Sequence, residues 1–432
     1  MSPAGVGGLA AVERQAADAV DAAWAAALTE ELVKVKSITG DEGEVQDLVA
    51  RRLADAGAAV ERIEVDPADA RRDPDWPGDE MPRDRLPIVF GRLGKPGGRR
   101  ILLVGHVDVV PEGDLATWSH DPWAAERVGD RVYGRGAVDM KGGVASILAV
   151  AKALTTTGIA DQLDGEVLIA SVPSEEDGGQ GMLAAIRAGA TGDMAVITEP
   201  TGLDVVIAHA GAITFKLTVP GVAAHASVRR EGISALEKLQ VLVKALEADE
   251  TARNSAETDP LMTAHGLPYA TIIGKVSGGV WASSVIDKLE VEGRYGVKLG
   301  QTWRDAEHDL LRAIDDANES DPFLRQHPAT VELTGGRFSS SRVPADHPLP
   351  VGLAAVVGAM TGSHPEFAGE PYGADMRLLV NEGNTPTVIF GPGDKRVAHS
   401  ADEWVSVTEV AECARVLAAW VVRELVRKGA ES

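Results

Sequence analysis

Ile101-Leu102-Leu103-Val104-Gly105-His106-Val107-Asp108-Val109-Val110 is an apolar run that ends in chemistry. Four aliphatic residues in a row read as a buried strand, and the two-residue period of a strand aims residues i and i+2 at the same face. His106 and Asp108 are therefore expected to emerge side by side. An imidazole placed this way is a candidate metal ligand, and Asp108 is the natural group to hydrogen-bond its other ring nitrogen and fix the tautomer. Taken alone, a His-x-Asp pair is more often a satisfied pair at a strand end, so the rest of the chain decides.

Working outward, residues 18–32 and 42–56 carry Ala, Val and Leu at helical spacing against charge, which predicts two amphipathic helices. Residues 66–85, polar and rich in Pro and Asp, predict an irregular surface excursion ahead of strands 88–93 and 101–104. Helix is expected at 144–154 and 181–188, and strand at 166–172 and 194–198. This alternation predicts an α/β layer architecture. After His209 the order becomes strand 213–219, helix 234–246, strands 270–276 and 288–299, helix 303–317 and strand 330–333. That β-α-β-β-α-β order is the ferredoxin-like split motif, here inserted into the first domain. Beyond Pro348 come helix 353–360, strand 387–390 and a closing helix 407–426. These terminal pieces could not form a core alone, so the last strand is expected to rejoin the first sheet. The expected division is a catalytic domain, 1–208 with 339–432, built on a mixed, mostly parallel sheet between helices. Residues 209–338 form the inserted α+β domain.

Composition narrows the function classes. A chain of 432 residues exceeds what one core usually holds, and 44% apolar residues suit well-packed globules. A formal charge of −23 with no basic block argues against binding nucleic acid or an anionic membrane. The one cysteine, Cys413, falls in the closing helix as a core residue, so there is no disulfide framework and a reducing compartment fits. Residues 1–14 lack a basic segment followed by an apolar one, and no stretch approaches a membrane span. A soluble cytoplasmic protein is expected.

Three further clusters bear on His106. Tyr133-Gly134-Arg135-Gly136-Ala137-Val138-Asp139-Met140-Lys141-Gly142-Gly143 leads straight into an apolar helix, where Asp139 on its own reads as a helix cap. Ser174-Glu175-Glu176-Asp177-Gly178-Gly179 follows a strand, and adjacent carboxylates there repel unless a cation or solvent relieves them. Glu199 follows the next strand and precedes Pro200; His399 lies in Gly391-Pro392-Gly393-Asp394-Lys395-Arg396-Val397-Ala398-His399-Ser400, again after an apolar strand. Ends of strands in open α/β sheets are where sites form. His106, Asp139, Glu176, Glu199 and His399 offer His, Asp and Glu donors without cysteine, which fits a borderline divalent ion such as zinc, and their number suits two ions better than one.

Together these runs resemble the metallopeptidase family of acetylornithine deacetylase, succinyl-diaminopimelate desuccinylase, aminoacylase and glutamate carboxypeptidase over nearly the whole chain. Gly-His-Val-Asp, Gly-Arg-Gly-x-x-Asp-Met-Lys-Gly-Gly, Ser-Glu-Glu and Ala-His-Ser carry the likeness. The resemblance implies that His106, Asp139 and Glu199 hold one zinc, that Asp139, Glu176 and His399 hold the other, and that Asp139 bridges them. Cobalt or manganese would serve in place of zinc. It further implies that Glu175 is the general base and acid and that Asp108 orients His106. A water between the ions, acidified toward neutrality, would lose its proton to Glu175 and attack an amide carbonyl as hydroxide.

The inserted domain adds its own implications. His225, in the small-residue turn Val219-Pro220-Gly221-Val222-Ala223-Ala224-His225-Ala226-Ser227, matches a family histidine that reaches a partner subunit's active site and stabilises the oxyanion, which implies a homodimer formed through this domain. Arg294 matches an arginine used for the substrate carboxylate, a bidentate task that suits a guanidinium. Arg377, Gly391 and Gly393 are expected to line the same pocket. One departure stands out in Gly278-Gly279-Val280-Trp281-Ala282-Ser283-Ser284-Val285-Ile286-Asp287. Ser284 stands where relatives place a substrate-contacting Asn, and Asp287 replaces a Pro. Trp281 reads equally as a contact for a bulky acyl group and as a packed interface side chain. The expected reaction is hydrolysis of an N-acyl amino acid, with a dipeptidase or carboxypeptidase as the sister reading. A non-catalytic metal-binding or interaction protein would lack a ligand or Glu175, and neither is missing.

Overall fold

The computed structural model describes residues 8–362 and 365–426, so the first seven residues of the segment 1–14 weighed above lie outside it. Two separate apolar cores organise the chain. The larger surrounds a sheet of nine strands, and the smaller surrounds a sheet of four.

The large sheet is parallel at its centre. Arg99–His106 runs between Gly165–Val172 and Met194–Ile197, parallel to both, and Thr387–Ile389 continues the parallel set beside Met194–Ile197. Antiparallel strands flank this centre: Leu86–Gly94 and Ala59–Val65 on one side, Val205–His209 and Ser341–Arg342 on the other, while Phe367–Glu370 joins Val205–His209 in parallel. The central strands are buried on both faces, as strands of a parallel sheet covered by helices must be. The C-terminal strand does rejoin the first sheet, and Cys413 is buried in the closing helix Val407–Leu425.

Some expected elements shift. The helix anticipated at 18–32 runs instead from Ala22 to Lys34, because Asp21 turns its carboxylate onto the Trp24 N–H and caps the start, and a separate helix, Ala11–Asp18, precedes it without a forecast. Pro348 opens the helix Pro348–Thr361 rather than preceding it, since proline is well suited to a first helical position. Ala59–Val65, Val205–His209 and a small sheet of Arg127–Val128, Arg131–Tyr133 and Trp404–Ser406 had no forecast.

The four-stranded sheet is antiparallel throughout. In space its strands run Thr271–Gly278, Lys288–Val297, Gly211–Pro220 and Thr330–Phe338. Helices Ala235–Ser255 and Trp303–Ser320 pack on it through Leu239, Leu242, Leu246, Leu310 and Ile314. This is the ferredoxin-like order, and it leaves Thr271–Gly278 as an exposed edge.

Candidate active site

His106, Glu175, Glu176, Glu199 and His399 all end or follow strands at the same end of the large sheet, and Asp139 reaches them from a turn before a helix. Because Arg99–His106 pairs in parallel with its neighbours, His106 sits opposite Val172, and the chain after Val172 carries Glu175 and Glu176. Glu199 follows Met194–Ile197 in the same way, and the loop to His399 follows Thr387–Ile389.

His106 is buried, with Nε2 3.1 Å from Asp139 Oδ1 and 3.3 Å from Glu199 Oε1. Its Nδ1 lies 3.0 Å from the Asp108 carbonyl oxygen but 3.6 Å from the Asp108 carboxylate. The nearer partner of the ring is the backbone of Asp108, with its carboxylate close behind. The carboxylate is engaged elsewhere: it accepts the Glu175 and Glu176 N–H groups at 3.1 and 3.2 Å and the Thr39 hydroxyl at 3.0 Å, so it shapes the loop that carries both glutamates.

Asp139 is not a simple cap. It stands in a wide turn, Ala137–Lys141, that leads into the helix Gly142–Thr156. Its second oxygen lies 3.3 Å from His399 Nε2, which is also 3.1 Å from Glu176 Oε2. Two groups of three donors, His106/Asp139/Glu199 and His399/Asp139/Glu176, therefore meet at one aspartate. Ligand atoms of His106, Asp139 and Glu176 lie within 4.8 Å of one another, as do those of His106, Glu175 and Glu199.

Electrostatics mark the cluster as one that suits cations. Burial, followed by the charge of Asp139, pushes Glu199 up to about 8 and raises Glu176 as well. Burial and then Glu199 drive Glu175 well above the carboxylate range. Hydrogen bonds to Asp139 and Glu176 lift His399 to about 11. Burial opposes charge on His106 and on Asp139, yet the carboxylates around the ring hold His106 up and the two rings hold Asp139 down. Two buried acids, Glu175 and Glu199, and two half-buried ones, Asp139 and Glu176, around two imidazoles form a donor set suited to divalent ions.

The cluster opens into a cavity of about 490 Å³ between the two domains. Glu175, Glu176, Glu199 and His399 form its floor; Ala212, Thr214, Arg294 and Phe338 reach in from the inserted domain, and Glu80, Tyr372 and Lys395 complete the wall.

Against known proteins, residues 102–423 match the model of peptidase family M20/M25/M40. The chain belongs to this family. Among its relatives, a succinyl-diaminopimelate desuccinylase of Methylobacterium nodulans is 31% identical over 343 residues, covering 72% of this chain and 81% of that protein. Among solved structures, human carnosine dipeptidase 1 superposes with a TM-score of 0.72 at 14% identity, covering 96% of this chain and 99% of that one. A dinuclear metal binding M20 peptidase of Bacillus subtilis gives a TM-score of 0.62 at 14% identity, covering 94% and 98%. At such identities these two report a shared fold. The M20 chain is thus a hydrolase whose mixed sheet and inserted domain are those of its family.

Within this M20 chain, the expected site residues divide. His106, Asp139, Glu175, Glu176, Glu199 and His399 converge, and Arg294 lines the cavity. His225 and Ser284 do not reach it. They face each other as a bridged pair, exposed on the inserted domain, where the His225 ring contacts the Ser227 hydroxyl at 2.8 Å. Arg377 is buried instead of lining the pocket: it donates to the Ala374 and Gly178 carbonyls and lies 3.9 Å from the Phe338 ring. Gly391 and Gly393 also miss the cavity. Gly391 lets its loop pass the strand end, since a Cβ there would stand 2.4 Å from the Glu199 carbonyl oxygen, while the Gly393 N–H donates to Glu409 on the far side.

Glu80, Tyr372, Lys395 and Glu403 were not foreseen. Glu403 is buried and accepts the Val138 and Asp139 N–H groups at 3.0 and 3.2 Å, while pairing with Arg135 at 2.6 Å. Lys395 lay inside a quoted motif and pairs with Glu370. Glu80 lay in the stretch read as an irregular excursion, and its neighbours in sequence give no sign of the role.

Proposed function

We propose that this chain hydrolyses the amide of an N-acyl amino acid to a carboxylate and a free amino acid, using two divalent ions, zinc foremost. The observation that carries the reading is the meeting of two histidine–carboxylate groups at Asp139, with Glu175 beside them, in a cavity that Arg294 overlooks.

His106, Asp139 and Glu199 would hold one ion and His399, Asp139 and Glu176 the other. Bound there, the ions would supply Lewis acidity toward the scissile carbonyl and toward a water. Glu175 takes the proton of the attacking water and returns it to the leaving nitrogen, a transfer that a buried carboxylate with a raised pKa suits. Arg294 offers two parallel N–H donors to the substrate carboxylate and so fixes which end of the amide faces Glu175. Asp108 holds the two glutamates of the loop through their backbone. His225, exposed and away from the cavity of its own chain, serves the site of a second copy, with the inserted domains forming the dimer.

The desuccinylase relative removes an acyl group from nitrogen, and it is far more similar in sequence than the dipeptidase that shares the fold. Acyl removal is therefore favoured over peptide cleavage. Amine release from N-acetyl, N-succinyl, N-aroyl and dipeptide substrates tests this: turnover of an N-acyl amino acid, abolished by chelation and returned by zinc, cobalt or manganese, is expected. Turnover of dipeptides alone would reverse the preference.

A further inference from the structure

We propose that Glu80 is a positioning residue that fixes the inserted domain relative to the loop carrying Glu175 and Glu176. The segment around it is a strap between the two. On one side its backbone is tied to the catalytic loop: the N–H groups of Glu80 and Met81 donate to Asp177 Oδ2 at 3.3 and 3.0 Å. Asp177 is buried two residues beyond Glu175, and its other oxygen accepts the Ser174 hydroxyl at 2.5 Å. Arg83, its side chain wholly buried, reinforces the tie by bridging Asp177 at 2.6 Å and Glu42 at 3.2 Å.

On the other side the strap holds the inserted domain. Glu80 Oε1 accepts the Thr214 hydroxyl at 2.9 Å and the Gly336 N–H at 3.2 Å, and the Arg337 N–H donates to the Pro77 carbonyl at 2.7 Å. Thr214 lies on Gly211–Pro220 and Gly336 on Thr330–Phe338, the two strands through which the chain enters and leaves the inserted sheet. Glycines make the approach possible. A Cβ on Gly335 would stand 2.3 Å from Glu80 Oε1, one on Gly78 2.1 Å from the Gly335 carbonyl oxygen, and one on Gly178 2.4 Å from the Gly78 carbonyl oxygen. The strand pairing slips between Leu333 and Arg337, where this contact is made. Glu80 also lines the cavity, so one side chain joins the wall contributed by the inserted domain to the loop of the general base. A displacement of the order of 1 Å between catalytic groups and substrate-holding groups costs about a hundredfold in rate, which gives such a tie its value.

The test reads domain position first and turnover second. In the full chain carrying Cys413→Ala, reporter cysteines replace Val128 on the catalytic domain and Leu236 on the inserted domain, which are 50% and 47% exposed, and electron–electron spin resonance gives the distance between them. The chain with native Glu80 and the Glu80→Gln chain, whose amide oxygen still accepts both hydrogen bonds, should give one narrow distribution. Glu80→Ala should broaden it, and Thr214→Val should broaden it in part. An unbroadened Glu80→Ala distribution, or Glu80→Gln as broad as Glu80→Ala, overturns the proposal. The kinetic arm rests on the hydrolase reading: Glu80→Ala should lose kcat by roughly tenfold to a hundredfold, with rescue in Glu80→Gln. If distances respond as expected while the protein with native Glu80 cleaves no amide, the strap stands and the reaction assigned above falls.

Discussion

Burial, and after it the charges of Glu199, Asp375 and Glu176, pushes the Glu175 carboxyl well above its ordinary range, although His106 pulls the other way. Two positive ions among these acids would lower that barrier and return a carboxylate able to accept a proton near neutral pH. Glu175 is also near enough to His106 and Glu199 to act as a donor itself, so metal content separates base from ligand. Glu175→Ala should keep both ions by elemental analysis and lose on the order of 10²–10⁴ in kcat; loss of an ion would make it a ligand. His209 gives a second expectation at this scale. Burial lowers its pKa from 6.5 to about 4, against the pull of the Ala210 carbonyl, and no described residue hydrogen-bonds its Nε2. The fold therefore keeps this ring neutral. Its contribution is whole above pH 6.5 and is lost as the pH falls toward 4. Urea unfolding at pH 8 and pH 5 should show His209→Gln losing less stability than the native chain on acidification, by roughly 2 kcal/mol.

The wide turn Ala137–Lys141 depends on a residue far along the chain. Glu403 takes the Val138 and Asp139 N–H groups with one oxygen and Arg135 with the other, so the shared aspartate is aimed from beneath. Glu403→Gln should fold but bind metal about 10–100-fold more weakly in a titration, because groups that orient ligands carry that much affinity. Glu403→Ala should also destabilise the chain, by about 3–5 kcal/mol, since it leaves the Arg135 charge buried without its partner. This turn also shows which parts of the molecule were legible in the sequence. The candidate ligands were: His106, Glu176, Glu199 and His399 each end or follow an apolar strand whose period and length are local properties, and Asp139 stood out in a glycine-rich run before an apolar helix. The β-α-β-β-α-β order was, for the same reason. Glu403 was not, because its partners lie some 264 residues away and no period links them. The strap at Glu80 read as irregular surface since its order comes from Asp177, Thr214 and Gly336 rather than from its neighbours. Strands of two or three residues, such as Arg127–Val128 and Trp404–Ser406, carry too little pattern to be seen.

At the scale of the whole molecule, one copy leaves two features without a use. His225 and Ser284 form an exposed pair outside the cavity, and the inserted sheet ends in the exposed edge Thr271–Gly278. Ile272 and Val276 on that edge are exposed, and beyond it Val280 and Trp281 are 95% and 74% exposed. Trp281 is thus mostly exposed rather than buried within its own chain. An open edge with apolar side chains is a surface that natural proteins usually cover, and a second copy across a two-fold axis would cover both edges alike. The same arrangement would carry each His225 toward the other copy's cavity, where it could donate to the oxygen that gains charge as the amide is attacked. His225→Ala and Glu175→Ala proteins should each be inactive as pure dimers. After subunit exchange half of the molecules are mixed, and each mixed dimer holds one site with an intact Glu175 facing an intact His225. Roughly a quarter of native activity should return. No recovery, with exchange confirmed by differently labelled subunits, would place His225 outside the reaction or confine it to its own chain.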